Sequence, residues 1–254
     1  MIDIHTHLLP NIDDGVSSIR EVRSLIQNAI QEGITDICIT PHFSRIDDYT
    51  SYCDVLIYSY NKLKEELKDI NINLYLGNEI MIDKDIDELL LNHRLLSLNK
   101  TKYVLIEFPM DKYSKDYDEY LYNISISGYK IIIAHPERYE YVIQDYDKYI
   151  NHKWKDYYLQ CNQNSLNVSI RKKIIYKLID EQRLTLISSD AHNEYRPCTL
   201  IDAYKHISKK YNNELADILF NVNPKLILNN ENVNKLPLVK RKLFSIWVLQ
   251  KRRR

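Results

Sequence analysis

Glycine is scarce: only four punctuate the 254 residues, at positions 15, 33, 77 and 128, and no two are neighbours. A glycine-rich turn that lets backbone close on phosphate is therefore missing, which excludes P-loop and dinucleotide-binding readings. Seven prolines are too few for long structureless segments. Of the four cysteines, Cys38, Cys53, Cys161 and Cys198, none forms a C-x-x-C pair or a disulfide-like spacing. Six residues beyond them stand Ser44, Ser59, Asn167 and Tyr204, never the arginine that a cysteine-nucleophile phosphate cradle requires. No apolar run reaches the roughly 20 residues of a membrane span. The opening residues read as a strand rather than a leader, so the chain is expected to be cytoplasmic.

Net charge is also absent overall, with 35 Lys/Arg against 35 Asp/Glu, but it is unevenly spread. Positions Asn232 to Arg254 hold eight bases and no acid, leaving residues 1–231 with 27 bases against 35 acids, a net of −8. An acidic body argues against a broad nucleic-acid surface, which needs clustered positive charge. The basic segment 232–254 surrounds an apolar run at Leu243–Leu249 and is a candidate for peripheral contact with anionic membrane. The bland alternative is a solvated tail. Tyrosine is abundant, at 21 residues, and is read as compositional bias rather than function.

What is present is a repeating unit. Met1–His5 reads as a buried strand, and Ser18 with Glu21 reads as a capping box for a helix that Gly33 stops. Further strands are expected at Asp36–Thr40, Asn73–Leu76, Tyr103–Ile106, Lys130–Ala134, Tyr157–Cys161 and Leu184–Ser188, each followed by a helical stretch. Near-continuous apolar strands alternating with helices predict a parallel sheet covered by helices. Seven units suggest an α/β fold of one domain, a distorted TIM-like (β/α)7 barrel over 1–231, with 232–254 as a basic tail.

Ionisable residues fall at the strand ends. His5 and His7, His42, Glu79, Glu107, His135, and Asp190 with His192 each stand at or just beyond a predicted strand C-terminus. In a parallel barrel those ends share one rim, where active sites form. His5-x-His7 and Asp190-x-His192 put paired side chains on one face, because strand side chains alternate with period two. Mixed imidazoles and carboxylates suit Mn²⁺, Fe or Zn²⁺ better than Mg²⁺ or Ca²⁺. Singly, each such residue is more often a hydrogen-bonded loop group, but chance does not readily put the whole set on one rim. His93, His152 and His206 fall on predicted helices or their ends and are read as structural.

These motifs, DIHTHLLP with DDG (3–15), TPHF (40–43), GNEI (77–80), AHPERY (134–139) and SSDAHN (188–193), resemble in order the PHP (polymerase and histidinol phosphatase) superfamily. Within it the chain is most similar to the metal-dependent bacterial protein-tyrosine phosphatases encoded with capsule and exopolysaccharide genes. The resemblance implies three divalent ions, Mn²⁺ first and Fe or Zn²⁺ as alternatives. His5, His7, Glu79 and Asp190 would hold one. Glu79 would bridge to a second, held also by Glu107 and His135, while Asp14, His42 and His192 would hold the third. Arg138, Arg196 and His42 are the candidate catalytic residues, with the two arginines gripping phosphate. The implied partner is the tyrosine-phosphorylated C-terminal tail of a membrane-associated tyrosine autokinase, met at the inner face of the membrane. Competing readings are a small-molecule phosphatase acting on histidinol phosphate or a sugar phosphate, a 3′–5′ exonuclease, and a non-catalytic metal-binding scaffold.

Overall fold

Short Ile-, Leu- and Val-rich runs form parallel strands because burial on both faces rewards continuous apolar sequence. A computed structural model describes residues 1–50 and 52–238. Among the described residues nine strands occur: β1 (Ile2–Thr6), β2 (Asp36–Ile39), β3 (His42–Phe43), β4 (Asn73–Leu76), β5 (Glu79–Met81), β6 (Tyr103–Glu107), β7 (Lys130–Ala134), β8 (Tyr158–Asn162) and β9 (Leu186–Ser188). They form two sheets, β1-β2-β4 and β3-β5-β6-β7-β8-β9, and all their pairings are parallel. Between strands run α1 (Ile19–Gln31), α2 (Cys53–Glu66), α3 (Ile86–Leu91), α4 (Asp116–Ile126), α5 (Glu140–Gln144) and α6 (Ser169–Asp180). After β9 come α7 (Ile201–Lys210), α8 (Asn213–Asp217) and α9 (Asn223–Leu228). Among these residues no helix is long and apolar enough to cross a membrane.

The seven expected strands are present, and two short ones that were not expected, β3 and β5, each follow a break in the chain after β2 and β4. β2 and β3 are separated by Thr40-Pro41, where proline brings no N–H to the ladder. β4 and β5 are separated by Gly77-Asn78, where Gly77 lies so close to Leu98 that an added Cβ would stand 2.8 Å from its Cδ2. Asn78 spans the gap, donating from Nδ2 to the Pro41 carbonyl at 3.0 Å and accepting from the Leu96 N–H at 3.0 Å. β1 meets the end of β9 through His7 N–H to Ala191 O (2.7 Å) and Asp190 N–H to His5 O (3.0 Å). The result is a mixed α/β single domain with two parallel sheets, rather than one continuous ladder.

β1 also carries a bulge: Asp3 faces Ile37 and Thr6 faces Ile39, so three residue steps match two. A bulge re-aims the side chains that follow it. Ile2 and Ile4 join Cys38, Tyr103, Leu105, Ile132, Ala134 and Leu186 in a buried cluster that draws on both sheets. Ile227 and Leu228 of α9 close that cluster at the strands' N-terminal end. A larger cluster holds the opposite strand faces, such as Val104, Ile106, Ile131 and Ile133, against the helices.

The local expectations hold with adjustments. Ser18 Oγ accepts from Glu21 N–H (3.3 Å), but the Glu21 carboxylate returns to the Ser17 N–H (3.0 Å), one residue earlier than a reciprocal box predicts. The helical stretch expected after Lys130–Ala134 divides into α5 and a π-helical segment at Asp147–Lys153. The first residues of the basic segment pack on the body: Leu236 is buried, and the Asn234 N–H donates to Asn223 Oδ1 at 3.0 Å. Its residues 239–254, including the apolar run and the final arginines, lie outside the described residues.

Candidate metal centre

Every sequence-predicted ligand comes to one place. The bulge in β1 presents His5 and His7, and the chain then folds back so that Val16 N–H reaches His7 O at 3.2 Å. Gly15 permits that closure, because a Cβ there would sit 2.2 Å from His7 O. The strand breaks place His42 and Glu79 as the first residues of β3 and β5, directly opposite each other in the ladder. β6 ends on Glu107. Beyond β7 and β9, His135 (φ 31°) and Asp190 (φ 57°) adopt left-handed backbone. Such conformations cost about 1–3 kcal/mol for non-glycine residues and are retained where the surroundings require them.

At the middle is Glu79. Its Oε2 lies 3.1 Å from His5 Nε2, 3.2 Å from His7 Nε2 and 3.2 Å from His42 Nδ1. The same oxygen is buried and accepts no hydrogen bond. His5 Nε2 and His7 Nε2 also face each other at 3.3 Å. The reason is visible on the far side of each ring. His5 Nδ1–H donates to Gln160 Oε1 (2.9 Å) and His7 Nδ1–H to Asp13 Oδ2 (2.8 Å), so in the neutral rings both Nε2 atoms carry lone pairs. Lone pairs and a carboxylate oxygen converging on one point repel unless a proton or a metal cation lies between them. The donor set therefore fits a divalent ion, with the outer hydrogen bonds that orient metal-bound histidines.

Around this point three groups have ligand atoms within 4.8 Å of one another: His5, His7, Glu79 and Asp190; His7, Asp14, His42 and His192; and His42, Glu79 and Glu107. The first is the set expected from the sequence. The second contains the expected Asp14, His42 and His192 and adds His7. In the third His42 joins the carboxylates, while the expected His135 stands beside them, its Nε2 2.9 Å from Glu79 Oε1 and 3.4 Å from Glu107 Oε1. The neighbouring aspartates divide their work. Asp14 Oδ1 faces His192 Nε2 (3.4 Å) and His42 Nε2 (3.6 Å), whereas Asp13 Oδ2 accepts from His7 and from the His42 N–H (2.9 Å).

Asp190 joins the cluster to the arginines. Its Oδ1 lies 3.5 Å from His5 Nε2 and 3.4 Å from His7 Nε2, and its Oδ2 accepts from Arg138 (3.0 Å), Arg196 (2.7 Å) and Asn162 Nδ2 (2.5 Å). Asn162 in turn accepts from Gln160 Nε2 at 2.9 Å, which completes a chain of amides on β8 from His5 to Asp190. Sequence reasoning missed Asp13, Gln160 and Asn162. A signal existed, since polar Gln160 and Asn162 alternate with Leu159 and Cys161 in a buried strand.

The electrostatics follow the packing. Burial and the Glu79 carboxylate push the Glu107 carboxyl well above its ordinary range. Burial opposes ionisation of Glu79 too, but His5 and His42 outweigh it and hold its carboxyl well below the ordinary range. Burial and the Arg138 charge lower the His135 pKa to about 4, so this ring is neutral and able to act as a ligand. The side chains open on a cavity of about 390 Å³ with Arg138 and Arg196 on its wall and Ile46, Met81, Phe108, Pro109 and Met110 among its apolar lining.

The family described as capsular polysaccharide synthesis, CpsB/CapC, matches residues 1–229. The chain belongs to this family. CapC of Staphylococcus aureus is 35% identical over 243 residues, covering 92% of this chain and 94% of that protein. Tyrosine-protein phosphatase YwqE of Bacillus subtilis is 30% identical over 256 residues, covering 97% of this chain and all of YwqE. A solved structure from work on YwqE of Bacillus subtilis and CpsB of Streptococcus pneumoniae, described as unique metal-dependent tyrosine phosphatases, superposes with a TM-score of 0.86 at 28% identity. It covers 96% of this chain and 100% of that one. A phosphotriesterase homology protein from Escherichia coli, at 12% identity and a TM-score of 0.55, shares the fold alone. The PHP resemblance read from the motifs agrees with this membership.

Proposed function

We propose that the chain is a metal-dependent phosphotyrosine phosphatase acting in capsular or exopolysaccharide synthesis. The observation that carries the reading is Glu79 Oε2, buried, without a hydrogen bond, and facing imidazole nitrogens of His5, His7 and His42. Three divalent ions, Mn²⁺ by preference, are assigned to His5, His7, Glu79 and Asp190; to Glu79, Glu107 and His135; and to Asp14, His42 and His192. His7 and His42 are close enough to a second group to be shared. Bound ions of this kind supply Lewis-acid charge and make water a strong nucleophile near neutral pH.

The protein's own groups do the rest. Arg138 and Arg196 bind the phosphoryl oxygens through donors not committed to Asp190, since each guanidinium has five N–H groups and keeps its charge. The Asp190 carboxylate holds both arginines in place. The apolar lining from Phe108 to Met110 suits an aryl ring. A tyrosine phenolate, with a parent pKa of about 10, leaves without strong general-acid help. The substrate we favour is the tyrosine-phosphorylated C-terminal tail of a membrane-associated kinase, reached from the cytoplasmic face. Residues 1–231 would form the enzyme as a distorted seven-stranded barrel, with each broken pair counted as one strand. The basic residues that follow would lie towards the membrane.

The test is turnover of p-nitrophenyl phosphate that is lost with EDTA and restored by Mn²⁺, followed by comparison of phosphotyrosine peptides, histidinol phosphate and single-stranded DNA. Phosphotyrosine peptides are expected to be the best substrates; preference for histidinol phosphate would move the assignment to small-molecule hydrolysis. His42→Ala is expected to lose one equivalent of metal by elemental analysis and at least about 100-fold in kcat, the scale of one lost electrostatic stabiliser. Full activity in that variant would defeat the three-ion arrangement.

A further inference from the structure

A second cavity, of about 300 Å³, shares Arg138, Asp190 and Arg196 with the metal centre but includes none of its histidines. Its remaining wall includes Asn164, Ser165 and, from the first turn of α6, Arg171. Arg138 and Arg196 both pair with Asp190 Oδ2, an oxygen that a third donor, Asn162, also occupies. Arg171 has no ion-pair or hydrogen-bond partner among the described residues. Ser51 and residues 239–254, outside the description, contain no Asp or Glu. Three guanidinium groups therefore line one concavity against one carboxylate whose outer oxygen is already saturated.

The recess carries charge of the sign opposite to that of the body as a whole. Residues 1–231 carry a net −8, so a local excess of positive charge in a recess stands out from the body around it. A solvated arginine on an open helix face would need no explanation. Arg171 instead faces a recess floored by buried Ser165, Asn162 and Asp190, next to the arginines assigned to phosphate.

We propose that this recess is an auxiliary anion subsite, in which Arg171 takes a carboxylate or phosphate carried on the same peptide whose phosphotyrosine enters the metal centre. The inference rests on the phosphotyrosine phosphatase reading above. Guanidinium suits either group, because its paired N–H donors match two oxygens of both. Arg138 and Arg196, common to both cavities, lie between the two anions and favour a substrate that bears a pair of them. The subsite acts on selection of the peptide and takes no part in bond breaking.

The experiment uses the full chain loaded with Mn²⁺ and three series of phosphotyrosine peptides. In these a glutamine, a glutamate or a non-hydrolysable phosphotyrosine analogue is placed at each position within three residues of the reacting tyrosine. Wild type is expected to prefer the best doubly anionic peptide over its glutamine counterpart by about two- to five-fold in kcat/KM, the range of a partly exposed ion pair. Arg171→Gln should bring that ratio close to one, and Arg171→Lys should keep part of it. Anisotropy of a labelled, doubly non-hydrolysable peptide should show the same loss of binding in Arg171→Gln. Equal help from glutamate and the phosphate analogue identifies a general anion site, and help from the analogue alone identifies a phosphate site; either supports the proposal. No preference in wild type at any position, or full preference in an Arg171→Gln protein of unchanged melting temperature, overturns it. Failure of wild type to hydrolyse even the glutamine peptides would instead remove the functional reading beneath it.

Discussion

Asn162 shows how far the centre depends on residues that touch no ion. It donates to Asp190 Oδ2 and accepts from Gln160, whose other end receives the His5 Nδ1–H. The pair thus fixes one ring and one carboxylate that stand 185 positions apart in the chain. Asn162→Ala should lower Mn²⁺ affinity about 10- to 100-fold, as loss of an outer hydrogen bond typically does; titration calorimetry that finds unchanged affinity would assign Asn162 a packing role only. The residues that converge here were legible beforehand because imidazoles and carboxylates at strand C-termini are chemically conspicuous. Gln160 and Asn162 were not, since neutral amides carry no such mark and the strand was expected to stop at Cys161. Nor does an Asp13-Asp14 pair reveal which carboxylate turns inwards. The turn that ends at Gly15 decides it, seating Asp13 behind His7 and Asp14 beside His192.

Among the elements, every expected strand is present, and the departures lie where the backbone pattern depends on tertiary packing. The bulge in β1 and the breaks at Pro41 and Gly77 leave apolar periodicity almost unchanged, so pattern reading passes over them, yet they aim His5, His42 and Glu79. His206, set aside as structural, makes a helix contact. On α7 it stacks on Tyr176 of α6 with centroids 6.0 Å apart, and its Nε2 meets the tyrosine hydroxyl at 2.5 Å. Burial, then Lys172, Lys210 and Lys209, lower its pKa below the ordinary 6.5. The unfolded chain therefore takes up this proton at a higher pH than the folded one, and stability falls as pH drops through about 6.5 towards the folded value. Urea unfolding at pH 7.5 and 5.5 should show a smaller decline in His206→Gln than in wild type. Equal declines would mean that the ring titrates alike in both states.

For the molecule as a whole, the proposed ligands come from six strands or strand ends, and the first and last of these meet edge to edge through His7 N–H to Ala191 O. Ions held by them would bind only the folded chain and so would add stability by mass action, about 2.7 kcal/mol per site at a hundredfold excess over Kd. For a body of this size that amounts to roughly 5–10 °C in Tm. EDTA-dialysed protein should melt lower by that order and recover with Mn²⁺ in calorimetry; identical transitions would argue that the cluster holds no ion. The meeting of β1 with the end of β9 also sets an order of events during synthesis. When His5 and His7 are made, Asp190 and His192 are still 185 residues from being made, a wait of roughly 10–40 s at 5–20 residues per second. Until translation has passed position 192 a nascent chain has only a partial claw, so cation loading would wait for the segment that follows β9, and a product cut short before that point is born unable to assemble its proposed reaction centre.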